Sequence, residues 1–202
     1  MRNTWNRFRW TLWVPGYDFV ARIFKKPRRR SLQLLDLQPD ERVLLVGAGT
    51  GLDLPLIPAG PTLTAIDLVR GMLRRLRRRA QDLGRAVDAR VMDAQALEFP
   101  DGSFDVAILH LILAVIPDPA RCLREVARVL RPGGRAVILD KFIPDDGPPP
   151  LLLRVLNPLA RILATNLTRR IGPVVSGSGL RIVKNESAGF HGLLRIILLR
   201  KG

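Results

Sequence analysis

The stretch Arg42-Val-Leu-Leu-Val-Gly-Ala-Gly-Thr-Gly51 decides the fold of this chain. Its first half is a short apolar run rich in valine and leucine, which predicts a buried strand. Its second half has glycine at alternate positions, and glycine lets the backbone turn tightly and approach a ligand because it has no Cβ. In an open α/β sheet such a turn lies at the carboxyl edge of the strands, where small molecules bind. We therefore expect the ligand site here, where the strand ends in a glycine turn and the chain enters a helix with free N–H groups.

The spacing of the glycines restricts the ligand without identifying it. A phosphate-binding P-loop needs Lys-Ser/Thr after its last glycine, and Leu52 follows Gly51, so a P-loop is excluded. The dinucleotide fingerprint requires a glycine where this chain has Leu52. Asp67 ends the next apolar run about twenty positions after Gly47, where an acid that holds a ribose belongs. That acid fits NAD and any other adenosine-containing cofactor equally well, and an ordinary tight turn would also explain the glycines.

Apolar runs and helical patterns alternate after the glycine turn. Strands are predicted over 63–67, 89–93, 105–110 and 135–140, and helices over 69–83 and 119–130. This alternation predicts an α/β fold with a mostly parallel sheet, right-handed crossovers and helices on both faces. The apolar pattern over 151–169 predicts a helix broken at Asn157-Pro158. Two final strands, over 180–186 and 193–199, bracket a Gly-rich connection and predict an antiparallel hairpin, which argues against a symmetric dinucleotide-binding fold.

The composition favours a basic protein with a substantial core. The chain has 202 residues, of which 47% are hydrophobic, and a net charge of +15 that comes mostly from arginine. Such an excess favours nucleic acid or an acidic membrane surface as partner, although a solvated basic surface would look the same, above all on the arginine-rich 69–83 helix. The single cysteine, Cys122, allows no internal disulfide and favours a reducing cytoplasm and a core position. No apolar run reaches the ~20 residues of a membrane span, and no metal site is expected.

The N-terminal segment combines tryptophan with arginine. All three tryptophans lie within nine residues, and Trp5, Phe8 and Leu12 share one helical face. Basic residues beside tryptophans are typical of a helix that lies in a membrane interface, although a helix that caps the core would show the same pattern. We expect an N-terminal basic amphipathic helix or lid over 1–30, in which Pro27 interrupts the helix, and the main domain over 31–202.

The motifs together resemble class I S-adenosylmethionine-dependent methyltransferases over residues 13–143. The glycine turn is similar to the first motif of that family, and the segment 123–134 is similar to its characteristic helix and Pro-Gly-Gly turn. The resemblance implies a Rossmann-like, mostly parallel seven-stranded sheet with a terminal antiparallel hairpin, and S-adenosyl-L-methionine as cofactor. The chain departs from the family at Leu45, where many members have an acid near the methionine part of the cofactor.

The resemblance also implies which residues hold the cofactor. Asp67 would bind the ribose hydroxyls, Leu68 and Met72 would line the adenine, and Asp93-Ala94 would meet the edge of the base. The complete set of implied cofactor-binding residues is Tyr17, Gly47, Ala48, Gly49, Gly51, Asp67, Leu68, Met72, Asp93, Ala94, His110 and Leu111.

Two segments narrow the resemblance. Trp13-Val-Pro-Gly-Tyr17-Asp18 resembles the entry segment of bacterial phospholipid N-methyltransferases and related quinone methyltransferases. His110–Pro119 resembles the segment after the fourth strand of the phospholipid enzymes, which methylate phosphatidylethanolamine. The resemblance implies a cytoplasmic protein that associates peripherally with the anionic inner face of the membrane through its N-terminal helix. A quinone precursor or another small apolar acceptor is the alternative substrate.

A third hypothesis is a basic RNA-binding protein whose fold holds the cofactor only weakly. Single-strand binders interleave aromatic and basic residues, whereas the arginine-rich helix of this chain has no aromatic residue. Nucleic acid is therefore not the expected partner.

Methylation of an amine requires a proton acceptor, because an ammonium group has no lone pair with which to attack. Tyr17, His110 and Asp140 are the candidate catalytic residues for this step. The resemblance implies that Tyr17 lies over the sulfonium, although a core tyrosine fits the pattern as well. For His110 the resemblance implies a backbone contact with the cofactor, and a buried, hydrogen-bonded histidine fits equally well.

Overall fold

The computed structural model describes residues 22–146, 148, 151–162 and 166–202. In these residues seven strands form one sheet in the order β3-β2-β1-β4-β5-β7-β6. The first five strands are parallel, and β7 runs antiparallel to both β5 and β6. The expected Rossmann-like sheet with a terminal antiparallel hairpin is confirmed. The predictions for residues 1–21, which include Tyr17 and most of the expected N-terminal helix, lie outside the described residues.

The strands follow the predicted apolar runs closely. They are β1 (Arg42–Val46), β2 (Thr62–Asp67), β3 (Asp88–Val91), β4 (Phe104–His110), β5 (Leu130–Lys141), β6 (Leu180–Gly189) and β7 (Leu194–Lys201). Every residue of β4 is buried, as a strand covered on both faces requires. Alternate residues face opposite sides: Val43 packs with one core cluster and Leu44 with the other.

Helices cover both faces of the sheet. They are α1 (Lys25–Gln33), α2 (Arg70–Asp82), α3 (Pro119–Val129), α4 (Leu151–Ile162) and α5 (Gly172–Val175), with 3-10 turns at Arg22–Phe24, Leu54–Leu56 and Phe190–Gly192. The α3 helix begins where the Asp118 carboxylate accepts the N–H of Arg121 at 2.9 Å. Cys122 of α3 is completely buried, and burial raises the pKa of its thiol, as expected of a core residue.

The arginines of α2 lie opposite its buried stripe. Met72, Leu73 and Leu76 face the core. Two of the arginines are used within the protein, since Arg77 donates to the carbonyl of Ala89 and Arg79 to that of Thr50.

The prediction that the chain enters a helix after the glycine turn is wrong. The chain forms only the 3-10 turn Leu54–Leu56 before it reaches β2. A longer helix would place Pro58 in its interior, where proline lacks the required N–H and clashes with the preceding turn. The glycine turn therefore enters no α-helix that could direct a dipole at a ligand.

Two prolines, Pro27 and Pro158, do not break their helices as the sequence predicted. Pro27 does not interrupt α1, because it lies in the first turn, where no N–H donor is needed. The boundary proposed after residue 30 consequently falls inside α1. The break predicted at Asn157-Pro158 is absent, and α4 continues to Ile162. Asn157 instead holds the returning chain, since its amide oxygen accepts the N–H of Leu167 at 2.8 Å.

The start of β5 lies earlier than predicted. Leu130 already pairs with Phe104, and the register then shifts so that Arg135 pairs with Val106. The Pro-Gly-Gly turn over 132–134 is thus accommodated as an irregularity within the strand rather than before it.

Candidate active site

Four loops meet at the carboxyl edge of the sheet. They follow β1, β2, β3 and β4; the first contains the glycine turn and the third Asp93, and the second and fourth follow directly on Asp67 and His110, the last residues of β2 and β4. Because these strands are parallel, their carboxyl ends lie side by side. The strand order reverses between β1 and β4, and such a reversal opens a crevice for a ligand.

The glycine turn requires its glycines. The φ angles of Gly47, Gly49 and Gly51 are +65°, +56° and +78°, a region that favours glycine. A Cβ at Gly47 would lie 2.6 Å from Cδ1 of Ile112 in the loop after β4. The turn is thus in close contact with the neighbouring loop.

Asp67 fastens the glycine turn to the end of β2. One carboxylate oxygen accepts the N–H of Gly49 and the other that of Val69, each at 2.9 Å. Burial raises the pKa of Asp67, and the backbone N–H groups offset part of that rise. A carboxylate has about four lone-pair positions, so Asp67 can accept a further hydrogen bond beyond those from the backbone.

The loop after β3 is held through Asp93. Its Oδ1 accepts the backbone N–H and the side-chain amide of Gln95, both at 3.0 Å. The Gln95 side chain also accepts the N–H of Asp118 at 2.9 Å, which ties this loop to the start of α3. Ala94 and Met72 are buried on either side of the edge. The donor set and the glycine cradle fit an adenosine group: hydroxyl acceptors beside β2 and apolar side chains near the next loop.

Asp140, at the carboxyl end of β5, supports the loop after β4. It is completely buried, and its oxygens accept the N–H groups of Ala114 at 2.9 Å and Lys141 at 2.8 Å. Burial raises the pKa of Asp140, against the lowering effects of Lys141 and the backbone donors. In the described residues this side chain is a support for the 111–116 loop.

A buried polar network lies behind the glycine turn and consists of Arg28, Ser31, Asp53 and His110. Nη1 of Arg28 is 2.8 Å from both oxygens of Asp53. Nδ1 of His110 is 2.8 Å from Oδ1 of Asp53, and Nε2 of His110 is 2.9 Å from Oγ of Ser31. The four residues are at most 4% exposed. Burial raises the pKa of Asp53, but Arg28 and His110 outweigh burial and hold that pKa far below its ordinary value.

Sequence reasoning missed three members of this network. Arg28 and Ser31 share one face of α1 at a spacing of three residues, and Asp53 follows the last glycine of the turn by two positions. Neither feature identifies its partner, since the pairs are separated by 25 to 82 residues. The buried face of α1 consists of Arg28, Ser31 and Leu32, and one apolar residue among so many basic ones gave no signal that this face is buried.

Most of the predicted site residues within the described part of the chain lie at the carboxyl edge of the sheet. The structure brings the glycine turn, Asp67, Asp93 and His110 with their neighbours Ala48, Leu68, Ala94 and Leu111 to one edge of the sheet. The His110 side chain, in contrast, has partners at both ring nitrogens. This is the buried, hydrogen-bonded histidine that the sequence also allowed. Met72 lies on the first turn of α2, next to the same edge.

The described part of the chain offers neither a metal-binding group nor a membrane-spanning helix. There, no group of three or more His, Cys, Asp or Glu side chains is placed to hold a metal ion. The helices of 22–146, 151–162 and 166–202 include none with the length and hydropathy needed to cross a bilayer.

Comparisons with known proteins show the family of this chain. A methyltransferase-domain model matches residues 44–138. A phosphatidylethanolamine N-methyltransferase of Cereibacter sphaeroides is 33% identical over 196 residues, which cover 96% of this chain and 94% of that protein. A demethylmenaquinone methyltransferase of Renibacterium salmoninarum is 34% identical over 141 residues, covering 67% of this chain and 58% of that protein.

Solved structures share the fold. A SAM-dependent methyltransferase from Aquifex aeolicus superposes with a TM-score of 0.69 at 20% identity, over 93% of this chain and 95% of that one. The strand order, the glycine turn, the acid that ends β2 and the match along nearly the whole chain lead to one conclusion. The chain belongs to the class I S-adenosylmethionine-dependent methyltransferases, and S-adenosyl-L-methionine is its cofactor.

Proposed function

We propose that this methyltransferase transfers methyl groups to the amine head group of phosphatidylethanolamine at the surface of an anionic membrane. The observation that carries the proposal is the 33% identity with a phosphatidylethanolamine N-methyltransferase, which extends over 96% of this chain. The cytoplasmic face of the membrane is the proposed location, with the basic, tryptophan-rich N-terminal segment as the attachment.

The residues that would hold the cofactor are those at the carboxyl edge. Asp67 would accept the ribose hydroxyls, Met72 and Leu68 would line the adenine, and Asp93-Ala94 would meet the base. The glycines would let the backbone approach the methionine part. The bound cofactor supplies a methyl carbon already activated by a positive sulfur.

The protein's own contribution is to align the amine with that carbon, to exclude water and to provide a proton acceptor. His110 and Asp140 are poor acceptors in the observed geometry, because both side chains are buried and serve internal contacts, with Ser31 and Asp53 and with Ala114 and Lys141 respectively. We propose Tyr17, the remaining candidate, as the residue that takes the proton directly or through water.

An apolar rim supports the membrane part of the proposal; it consists of Ile23, Leu151, Val155 and Phe190. These side chains are 56% to 74% exposed. The rings of Phe24 and Phe190 lie 6.0 Å apart, so the start of the described chain meets the tip of the β6–β7 hairpin.

The position of this rim is at the carboxyl edge. The hairpin tip lies beside the end of β5, because Phe142 donates its N–H to Leu193 at 2.9 Å. The α4 helix is reached from the same end of β5, and the residue Asn166 that follows it donates to Ala114 in the loop after β4. Exposed apolar side chains beside the basic residues Lys25 and Lys26 are typical of an anionic membrane interface.

A quinone precursor remains the second candidate acceptor, favoured by the similarity to a demethylmenaquinone methyltransferase over 67% of the chain. Such an enzyme would act without anionic lipid, and deletion of residues 1–14 would leave its turnover nearly unchanged. The phospholipid proposal predicts that activity requires anionic lipid and that deletion of residues 1–14 lowers turnover.

The test is methyl transfer from radiolabelled S-adenosylmethionine to vesicles of phosphatidylglycerol with or without phosphatidylethanolamine. We expect label in N-methylated lipid only when phosphatidylethanolamine is present. Label that enters demethylmenaquinone but no lipid would overturn the proposal.

Tyr17→Phe tests the proton acceptor. It keeps the ring and removes only the hydroxyl, so we expect kcat to fall by roughly 100-fold or more, the usual contribution of a positioned acid or base. Affinity for S-adenosylhomocysteine should change little. An unchanged kcat would exclude the Tyr17 hydroxyl from proton transfer.

A further inference from the structure

The buried polar network joins three separate parts of the chain. Arg28 and Ser31 come from α1, Asp53 follows the glycine turn, and His110 ends β4. The network thus connects the first described helix with two of the loops that form the cofactor cradle. None of the motifs that define the methyltransferase fold requires such a connection.

His110 is followed directly by a constrained loop. Leu111 has a φ of +60°, which is uncommon for a residue with a side chain, and its N–H donates to the carbonyl of Leu139 at 2.7 Å. The next residue, Ile112, occupies the space in which a Cβ of Gly47 would lie. A displacement of His110 would therefore move the side chain that limits the glycine turn.

Stability alone gives little reason for this arrangement. Replacement of a buried ion pair by apolar residues of similar volume is often neutral or stabilising, because both charges must be taken out of water. Polar groups that break the local pattern of a core, and non-glycine residues at positive φ, are expected at functional sites.

We propose that the buried polar network positions the cofactor cradle, so that docking of α1 and binding of the cofactor stabilise one another. Arg28 and Ser31 fix Asp53 and His110, and through them the glycine turn and the loop after β4. The side chains of the four residues are positioning groups, which act on the cradle through the glycine turn and the loop after β4. The coupling is reciprocal, since two linked equilibria shift each other by the same factor. It depends on the cofactor and not on which acceptor is methylated.

The first experiment compares Asp53→Asn with Glu41→Gln. Both replace a buried carboxylate by its amide, and Glu41 pairs with Arg135 at 2.6 Å at the opposite edge of the sheet. Affinity for S-adenosylhomocysteine, the demethylated cofactor, is measured by calorimetry together with the melting temperature without ligand. We expect Asp53→Asn to weaken binding at least tenfold and Glu41→Gln less than twofold, although both lower the melting temperature.

The second experiment measures the coupling from the side of α1. Trypsin cleaves after Arg29 and Arg30, which are exposed on α1. S-adenosylhomocysteine should slow this cleavage severalfold in the wild type and in Glu41→Gln, and much less in Asp53→Asn. A purely structural network would leave the protection by the ligand the same in all three proteins.

Ser31→Ala provides a milder variant if Asp53→Asn does not fold. It removes the hydroxyl that lies 2.9 Å from Nε2 of His110 and leaves the ion pair between Arg28 and Asp53 in place. We expect a threefold or greater loss of affinity and a reduced protection of α1. If the variants that fold lower the melting temperature but keep both the affinity and the protection within twofold of wild type, the proposal is overturned.

Discussion

The two edges of the sheet use charged residues in different ways. At the amino edge, ion pairs hold neighbouring segments together in small groups: Arg42 and Arg131, which are about half exposed, both reach Asp105, and the less exposed Arg135 pairs with Glu41. At the carboxyl edge, the pair of Arg28 and Asp53 is 5% exposed on each side and belongs to a larger buried network.

The contrast between the two edges suggests different roles: the pairs at the amino edge stabilise the fold, and the buried network at the carboxyl edge serves the candidate site. Exposed ion pairs each contribute about 0 to 1 kcal/mol and close local structure. Buried charges carry a large desolvation penalty and remain only where partners satisfy them. The carboxyl edge also holds the positive-φ residues of the glycine turn and Leu111. The buried network and these positive-φ residues thus lie together at the edge where we propose that the cofactor binds.

The largest expected effect is on stability, from the loss of one buried charge. Arg28→Met leaves Asp53 buried without its guanidinium partner, so we expect the free energy of unfolding to fall by about 3–5 kcal/mol. Arg42→Met at the amino edge should cost no more than about 1 kcal/mol, because that side chain is half exposed and the backbone N–H of Arg42 still donates to Asp105. Urea denaturation of both variants measures the difference. Equal losses would remove the distinction between the two edges.

A second comparison concerns carboxylates that accept backbone N–H groups at each edge. Asp67→Asn removes the charged group that we propose as the acceptor for the ribose hydroxyls. Each such bond is worth about 1.5–3 kcal/mol, so the affinity for S-adenosylhomocysteine should fall roughly 10- to 100-fold. Asp105→Asn, whose carboxylate accepts the N–H of Arg42 at 2.7 Å, should reduce stability and leave that affinity unchanged. Similar affinities for both variants would show that Asp67 does not contact the sugar.

A third comparison uses two glycines at positive φ. Gly47→Ala and Gly133→Ala impose a similar backbone strain, with φ of +65° and +73°, worth about 1–2 kcal/mol. Only Gly47→Ala meets a neighbour, at Ile112, while the Cβ added at Gly133 has nothing within 4 Å. We expect about a tenfold loss of cofactor affinity for Gly47→Ala only, which corresponds to about 1.4 kcal/mol. Calorimetry, under conditions in which both variants are equally folded, measures the two affinities. Equal affinities would contradict the close approach of Ile112 to Gly47.

The pH dependence of stability sharpens the role of Asp53. Its pKa is lowered in the folded protein, so its contribution is present above the unfolded value of about 3.9 and is lost as the pH falls further. The stability difference between wild type and Asp53→Asn should therefore shrink as the pH falls below about 4. Denaturation series at several pH values measure it. A difference that grows on acidification would reverse the sign and exclude an ionised Asp53.

The smallest expected effect tests the apolar rim. Ile23→Ser removes a side chain that is 61% exposed at the carboxyl edge, and Leu83→Ser removes one that is 42% exposed after α2. Partial burial of such a side chain in a membrane is worth about 1 kcal/mol, so Ile23→Ser should weaken binding to anionic vesicles about fivefold. Leu83→Ser should have no effect. Equal binding by both variants would place the membrane contact elsewhere.

The sequence predicted the parts of the structure that depend on neighbours along the chain. Apolar runs identified the strands, and the glycines and Asp67, predicted to lie together, do meet at the carboxyl edge. The helix expected before Pro58 and the break expected at Pro158 were wrong, because the effect of a proline depends on its position within the helical turn. The buried polar network could not be predicted, since its members lie up to 82 residues apart and only the folded sheet brings them together.

The most direct test of the central claim is a calorimetric titration of the purified protein with S-adenosylhomocysteine and, in parallel, with NAD. If the carboxyl edge is an adenosyl-sulfonium cradle, one S-adenosylhomocysteine should bind per chain, and NAD should give no heat. Binding of NAD in the absence of any heat from S-adenosylhomocysteine would contradict the account.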